Sequence, residues 1–442
     1  MSSPKFSLRN IPSPFSLALL LTILAVLLTF ILTDIGGKEN PVQSLAGYWQ
    51  DGFWSLLTFT MQMMLILVLG YVLALSKPIN RLIGFLVRFC RTTSTAAAIV
   101  AFSTMLIALI NWGLGLVYGA ILARKVGEHA AKQNIPLNYP LIGAAGYVGL
   151  MVWHGGLSGS APVTIASADH HLVEQMGVMG VEQTIFSGMN IIVSLLLLIL
   201  VPLFFYWLGK PGSNGNQKAF QIQEVLSTEA KEEKISWLDR TRWLAYLTGG
   251  SIVLIAAFKG FSNPNGFLAS LSLNYINFVL FGLGLLFHGS IARFVKSFES
   301  AITSSAGIML QFPLYAGLIG IMKGTGLIDV FSGYFVSIAN EWTFPIFTFI
   351  SAAVVNVFVP SGGGQWAVQG PIIIEAAKDL GVPLHKSVMA LAYGDQLTNM
   401  LQPFWALPLL GITGLSAGDI LPYSLRVMFL GAMIFIVALL LF

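Results

Sequence analysis

The chain has 442 residues, of which 56% are hydrophobic and 10% charged, with a mean hydropathy of +0.79. A soluble domain carries about 25% charge, so this balance excludes one and indicates an all-α integral membrane protein. The formal charge of +4, with no basic cluster among aromatics, excludes a nucleic-acid partner, and one cysteine, Cys90, excludes an intrachain disulfide.

In chain order, the polar start "MSSPKFSLRNIPSP" precedes an apolar run from Phe15 to about Leu32. As a helix that run is about 27 Å long, enough to cross a bilayer and too long for a signal h-region. Further spans are expected at 57–76, 139–167, 187–208, 243–259, 275–289, 304–323, 386–412 and 418–442. Glycine and polar residues interrupt 139–167 and 386–412. The regions 94–123 and 344–378 read as pairs of short helices, broken at Asn111–Gly113 and at Pro360–Gly364. The arms 114–123 and 365–378 are about 15 and 21 Å, short of a bilayer of about 30 Å, so each pair is expected to be a re-entrant hairpin. Segments 78–91 and 290–303 mix basic and apolar residues, as interfacial amphipathic helices do.

Charge supports this layout. With a cytoplasmic N-terminus and re-entrant hairpins, 18 of the 23 Lys and Arg lie inside, from Lys5 and Arg9 to Arg426. The other 5 (Lys38, Lys259, Lys323, Lys378, Lys386) lie outside, as the positive-inside rule requires. The layout gives nine crossings, with the C-terminus outside.

The halves repeat at an offset near 245–249 residues: "FTMQMMLILVLGYVLA" with "IMLQFPLYAGLIGIMK", and "LINWGLGLVYGA" with "VVNVFVPSGGGQWAVQG". Gln62 then matches Gln311, and Asn111 matches Asn356. The expected organisation is a first repeat at 1–208, a cytoplasmic linker at 209–242, a connecting helix and loop at 243–274, and a second repeat at 275–442. The extra helix turns the second copy upside down. Two inverted repeats, each with a re-entrant hairpin and a broken transmembrane helix, are the pattern of secondary transporters.

Broken backbone in lipid leaves polar groups unpaired, so breaks persist only against protein, water or a ligand. Four breaks are expected to converge: Asn111–Gly113, Gly155–Ser160, Pro360–Gly364 and Thr398–Gln402. Behind Ser361, Gly362, Gly363 and Gly364, a helix starting near Gln365 presents free N–H groups and a positive dipole end. That suits a carboxylate without any arginine; alternatively, the glycines only allow a tight turn. Gly156, Ser158, Gly159 and Ser160 of the first broken helix complete the candidate substrate site, with Trp112 and Trp366 as apolar walls or mere packing. Asp395 is the carboxylate expected deep in a span, a functional candidate by default. With Thr398 and Asn399 it is a candidate for a coupling ion, Na+ or H+. Asn111 and Asn356 either join that site or cap helix ends. His154 belongs to the one side-chain type that titrates around neutrality, or is a satisfied core histidine. His170, His171 and Glu174 lack a helix-spaced third partner, so no metal site and no cofactor are expected.

The motifs "VPSGGGQWAVQGP" and "KSVMALAYGDQLTNMLQPFWALPLL", with "DGFW", "INWGLGLVYGA", "LSGS", "FSGMNI" and "QFPLYAGL", are similar to those of the short-chain fatty acid transporter family. The resemblance runs from about Phe15 to Phe442 and places the chain within the larger ion transporter superfamily. It implies uptake of a small monocarboxylate such as butyrate or acetoacetate across a bacterial inner membrane. It also implies a homodimer, Na+ or H+ coupling and an elevator mechanism. It implies glutamate at the position of Asp395, which keeps the carboxylate, and glycine at that of His154, which counts against a coupling role there.

Two rivals stand beside this reading. One is a carrier for another organic anion, a dicarboxylate or an aminobenzoyl-type acid; a second charge would call for a cationic partner, and no Lys or Arg is near the breaks. The other is an intramembrane serine protease, from the GxSG match at Gly156–Gly159. That chemistry needs a histidine within reach of Ser158, and His154 is one turn away on the same helix.

Overall fold

The structure, a computed structural model, describes residues 14–37, 39–210, 236–358 and 361–442. The N-terminal Lys5 and Arg9, most of the 209–242 linker and Pro360 lie outside the described residues. All regular structure among the described residues is helical.

Helix α1 (Pro14–Leu32) is followed by α2 (Pro41–Phe53), α3 (Leu57–Ala74) and α4 (Lys77–Val87). The sequence reading did not anticipate α2, whose polar residues hide it from a hydropathy scan. Pro78, in the first turn of α4, separates it from α3. Helix α4 buries Ile83 and Val87 and leaves Leu82 and Phe85 exposed, as an interfacial helix should.

Helices α5 (Thr93–Ile110) and α6 (Trp112–Lys132) form the first hairpin and pack on each other. The break is one residue, Asn111, whose extended backbone ends α5 and starts α6. Arm α6 has 21 residues and not the short 114–123 expected. The apolar stretch stops at Arg124, but the helix continues: Glu128 pairs with Arg124 (3.0 Å) and Lys125 (2.8 Å) one turn apart. Hydropathy marks where the solvent changes, not where the helix ends.

The first broken helix consists of α7 (Tyr139–Tyr147), tight turns at 148–151 and 153–155, and α8 (Ser160–Thr164). After the short α9 (Val173–Met176) come α10 (Gly188–Leu208), α11 (Trp237–Arg240) and α12 (Arg242–Phe261). Trp237 and Trp243 are both exposed, next in sequence to Arg240 and Arg242, as aromatic and basic residues are at a membrane interface. The second half runs through α13 (Leu273–His288), the amphipathic α14 (Ile291–Ile302), α15 (Ala306–Thr325) and α16 (Leu327–Ile338). Helix α16 was not foreseen either. Helices α17 (Phe344–Phe358) and α18 (Gly362–Asp379) make the second hairpin. The second broken helix is α19 (Leu384–Thr398), a turn at 399–401 and α20 (Pro403–Thr413); α21 (Ala417–Leu441) ends the chain.

Seven stretches among the described residues are long and apolar enough to cross a membrane: 57–74, 93–110, 139–164, 188–208, 242–261, 291–325 and 417–441. Six contain expected crossings. The seventh, α5, is an arm of the hairpin. Pairings recur between the halves: α13 packs on α3 as α1 packs on α15, and α6 on α3 as α18 on α15. Helices α6 and α7 meet at a close crossing. A Cβ on Gly119 would lie 2.0 Å from the Gly146 carbonyl oxygen, and one on Gly146 would lie 2.6 Å from that of Gly119. Such small-residue contacts let membrane helices meet backbone to backbone.

Candidate functional site

Both hairpin tips and both helix breaks border one buried cavity. Trp112 comes from the first tip, Ser361–Gly363 from the second, Trp153 and Ser160 from the first break, and Asn399 from the second. Met63 of α3, Phe312 of α15 and Trp405 of α20 close it. At about 20 Å³ it has room for a water molecule and not for a four-carbon acid.

The glycines are not the break. Gly362–Gly364 form the first turn of α18, and the Ser361 hydroxyl caps it by accepting from the Gly364 N–H (3.3 Å). The helix macrodipole is therefore positive at the cavity wall, and first-turn N–H groups have no partner within the helix. None of the three glycines has a positive φ. Glycine is needed for space: a Cβ on Gly362 would meet Trp153, His154 and Asp395, one on Gly363 would meet Phe59 and Phe312, and one on Gly364 would meet Tyr315.

Asn111 and Asn356, matched by sequence, do different work. Asn111 caps α6, its Oδ1 accepting from Leu114 N (2.7 Å), and its Nδ2 donates to Ile66 O (3.2 Å). Its counterpart in role is Ser361. Asn356 is in the last turn of α17 and ties that helix to α19, donating to Asp395 O (2.6 Å) and Thr398 Oγ1 (3.0 Å).

The other candidates divide between gluing and facing the cavity. Ser158 accepts from Trp112 N (2.9 Å), fixing the first tip to the first break. Gly156 abuts the Leu109 carbonyl, and Gly159 abuts that of His154. Gln365 donates to Ala352 O and Gln369 Oε1, both at 2.8 Å, bridging the arms of the second hairpin. Thr398 donates to Ala353 O (3.0 Å), and Asn399 accepts from Trp153 Nε1 (2.7 Å). Trp366 does not line the cavity. It belongs to a separate cluster with Ala161, Ile165 and Leu172, one turn further along α18. Trp153 and Trp405 take its place: Trp112 packs 5.7 Å from the first and 5.1 Å from the second. Six buried side-chain atoms of the candidates have no hydrogen-bond partner among the described residues: Trp112 Nε1, Ser160 Oγ, Asn356 Oδ1, Gln365 Oε1, Trp366 Nε1 and Asp395 Oδ1. The first two belong to residues that line the cavity.

Sequence reading missed one pair. His154 Nδ1 is 2.7 Å from Asp395 Oδ2, and both side chains are fully buried. His154 Nε2 accepts from Ala161 N (3.1 Å), which fixes the tautomer with the proton on Nδ1. Asp395 therefore accepts. The pairing spans 241 residues; intramembrane ionisable residues seek each other, which was the only signal available. The same contacts remove the nucleophile–base arrangement a protease needs, since His154 Nε2 and Ser158 Oγ hold different backbone N–H groups.

A wider cleft of about 540 Å³ lies beyond Phe59, lined by Asp51 of α2, His171, Glu174 and Lys323. Phe59 packs against His171 (5.4 Å) on that side and Phe312 (5.6 Å) on the other. Burial, then neighbouring His170, pushes the His171 pKa down to about 4, so it is neutral at physiological pH. No group of three metal-ligating side chains occurs among the described residues.

A family model described as "Short chain fatty acid transporter" matches residues 3–442. An Escherichia coli K12 protein provisionally named a short-chain fatty acid transporter is 36% identical over 99% of this chain and 98% of its own. The crystal structure of the Alcanivorax borkumensis YdaH transporter, described as having an unusual topology, has the same fold, with a TM-score of 0.55 at 15% identity over 96% of this chain and 98% of that one. Neisseria gonorrhoeae MtrF, described as illuminating a class of antimetabolite efflux pumps, scores 0.56 at 16% identity, over 97% and 95%.

Proposed function

Because the chain belongs to the short-chain fatty acid transporter family, and is a multi-pass membrane transporter and not an enzyme, we propose that it imports a small monocarboxylate such as butyrate or acetoacetate across a bacterial inner membrane by secondary active transport. Coupling to Na+ or H+, an elevator movement of the hairpins, two inverted repeats, a homodimer, an N-terminus inside and a C-terminus outside are parts of the same proposal. The observation that carries it is the pair of unpartnered donors, Trp112 Nε1–H and Ser160 Oγ–H, at the cavity walled by the first turn of α18. A carboxylate there would take charge-assisted hydrogen bonds and the helix dipole together. A short alkyl tail would lie against Trp112, Trp153 and Trp405. Among the described residues no lysine or arginine lines the cavity, which disfavours a dicarboxylate, whose second charge would be buried unpaired.

The chain reconstituted in proteoliposomes is expected to take up labelled butyrate with saturation. Unlabelled monocarboxylates of two to five carbons should compete, and succinate should not. Ser160→Ala should raise KM about tenfold while retaining most of the maximal rate, the loss of one hydrogen bond to a charged group. Unchanged KM in Ser160→Ala would remove that donor from the site, and competition by succinate at the butyrate level would favour the dicarboxylate reading.

A further inference from the structure

We propose that the coupling ion is a proton, that it binds Oδ1 of Asp395, and that ionised Asp395 and the substrate carboxylate exclude each other at the first turn of α18. The proposal rests on the carboxylate site above.

Three contacts carry it. Asp395 is wholly buried in a hairpin-bound helix, and its Oδ1 has no partner among the described residues. Its Oδ2 is engaged by His154 Nδ1–H, and His154 Nε2 is engaged by Ala161 N–H. A proton arriving at the pair thus has one acceptor open to it that breaks no existing bond, Oδ1. Last, the carboxyl sits against the proposed anion site: a Cβ on Gly362 would be 3.0 Å from Asp395 Oδ2 and 2.9 Å from His154 Cε1. While ionised, Asp395 already supplies the negative charge that the dipole end of α18 favours. A second carboxylate beside it is repelled, as two carboxylates sharing one site always are. Protonation at Oδ1 removes that repulsion and lets the substrate anion bind.

Three of the four other sodium-ligand candidates are spent elsewhere: Asn111 Oδ1 caps α6, Asn399 Oδ1 holds Trp153, and Thr398 Oγ1 bridges Asn356 and Ala353; Asn356 Oδ1 is the one left without a partner among the described residues. No competing ionisable group among the described residues bonds to the pair. Of the elements packed on it, α5, α8, α17 and the turns at 148–151 and 399–401 carry none. Helix α18 has Glu375, Lys378 and Asp379 at its far end, and α19 has His385 and Lys386 in its first turn. Helix α19 also has Tyr393, whose hydroxyl donates to Asn190 (3.1 Å). Tyr147 of α7 donates to Asn399 O and Gln402 O. Helix α21 contributes Asp419, Tyr423 and Arg426 along its first half. His154 is the positioning residue, holding Asp395 beneath Gly362. One proton moves with one monocarboxylate anion, so the transported pair is neutral.

Three measurements on proteoliposomes test this. Wild-type exchange of labelled butyrate, at equal pH on both sides, should fall at least about tenfold from about pH 6 to about pH 8, while Asp395→Asn, a fixed mimic of the protonated acid, stays within about twofold. Net wild-type uptake should follow an imposed pH gradient and ignore a valinomycin-set potassium potential. Asp395→Asn should reverse both, becoming a uniporter for the anion. Acidification without substrate should bring up a carboxylic-acid infrared band that Asp395→Asn lacks. Wild-type uptake that needs Na+ and ignores the pH gradient overturns the proposal, as does an Asp395→Asn variant with the wild-type pH slope. Absent butyrate exchange with the infrared band present would sink the substrate assignment and leave the proton site; absence of both would sink both. If Asp395→Asn does not fold, His154→Leu, which removes the donor that favours the ionised carboxyl, should move the midpoint of the exchange profile to higher pH. An unmoved midpoint there also overturns the proposal.

Discussion

Gly363→Val is expected to cut uptake at least about 100-fold while leaving a folded protein, a loss of at least about 3 kcal/mol in transport. Gly363 is in the first turn of α18 at ordinary helical φ, so valine meets no backbone obstacle. What it meets is aromatic: its Cβ would lie 2.9 Å from Phe59 Cζ and 3.2 Å from Phe312 Cζ. Both contacts are to the far ends of side chains, which can yield by a few tenths of an ångström for one methyl. Gly363→Ala should therefore keep a measurable fraction of the activity. Valine adds two more methyls to a cavity with room for a water molecule, and they would cover the first-turn N–H groups. Initial-rate uptake measured beside a melting curve separates a blocked site from a misfolded chain. Wild-type uptake by Gly363→Val would show that the glycine turn only makes room for helix packing.

Gly119→Val is expected to destroy the fold. Here the obstacle is backbone, the Gly146 carbonyl at 2.0 Å from the new Cβ, with the reciprocal contact at 2.6 Å. Helices α6 and α7 would have to separate, carrying with them the tip at Asn111 and the break that holds Ser158 and His154. Overpacking a core costs about 1–3 kcal/mol where side chains can move, and a backbone clash should exceed that. The expected result is no monodisperse peak in detergent and a large loss of membrane-inserted protein. Gly250→Ala is the control, since a Cβ there meets nothing within 4 Å, and it should be neutral. A well-behaved Gly119→Val protein with a wild-type melting temperature would mean that this crossing is not tight.

Both effects trace to glycines visible in the sequence, yet they act for reasons the sequence left open. "PSGGGQ" was expected to be the broken stretch, because three glycines weaken a helix interior. At a helix start that weakness matters less, and a Ser361 cap with no side chain to clash makes the turn a favourable first turn. Trp366 is one turn along the same helix, about 5 Å past the cavity wall, and at that level its ring packs into a separate apolar cluster. Helices α2 and α16, of 13 and 12 residues, are too short to stand out as bilayer spans, and the charge of Arg124 ends the apolar run without ending the helix.

What the sequence determined by itself is the part governed by local chemistry. Apolar runs of bilayer length, the basic residues flanking them, and residues such as Asn111 at which a helix stops are all short-range signals, and they located most of the long helices and the interruption at Asn111. Tertiary structure alone decided which faces meet. That Asp395 finds His154 across 241 residues, that Ser158 is spent on the Trp112 N–H while Ser160 stays unpartnered at the cavity, and that Trp405 replaces Trp366 all depend on how helices are rotated against distant neighbours. Hydropathy cannot encode that rotation in a chain apolar on nearly every face; packing of small residues and pairing of the few buried polar groups set it.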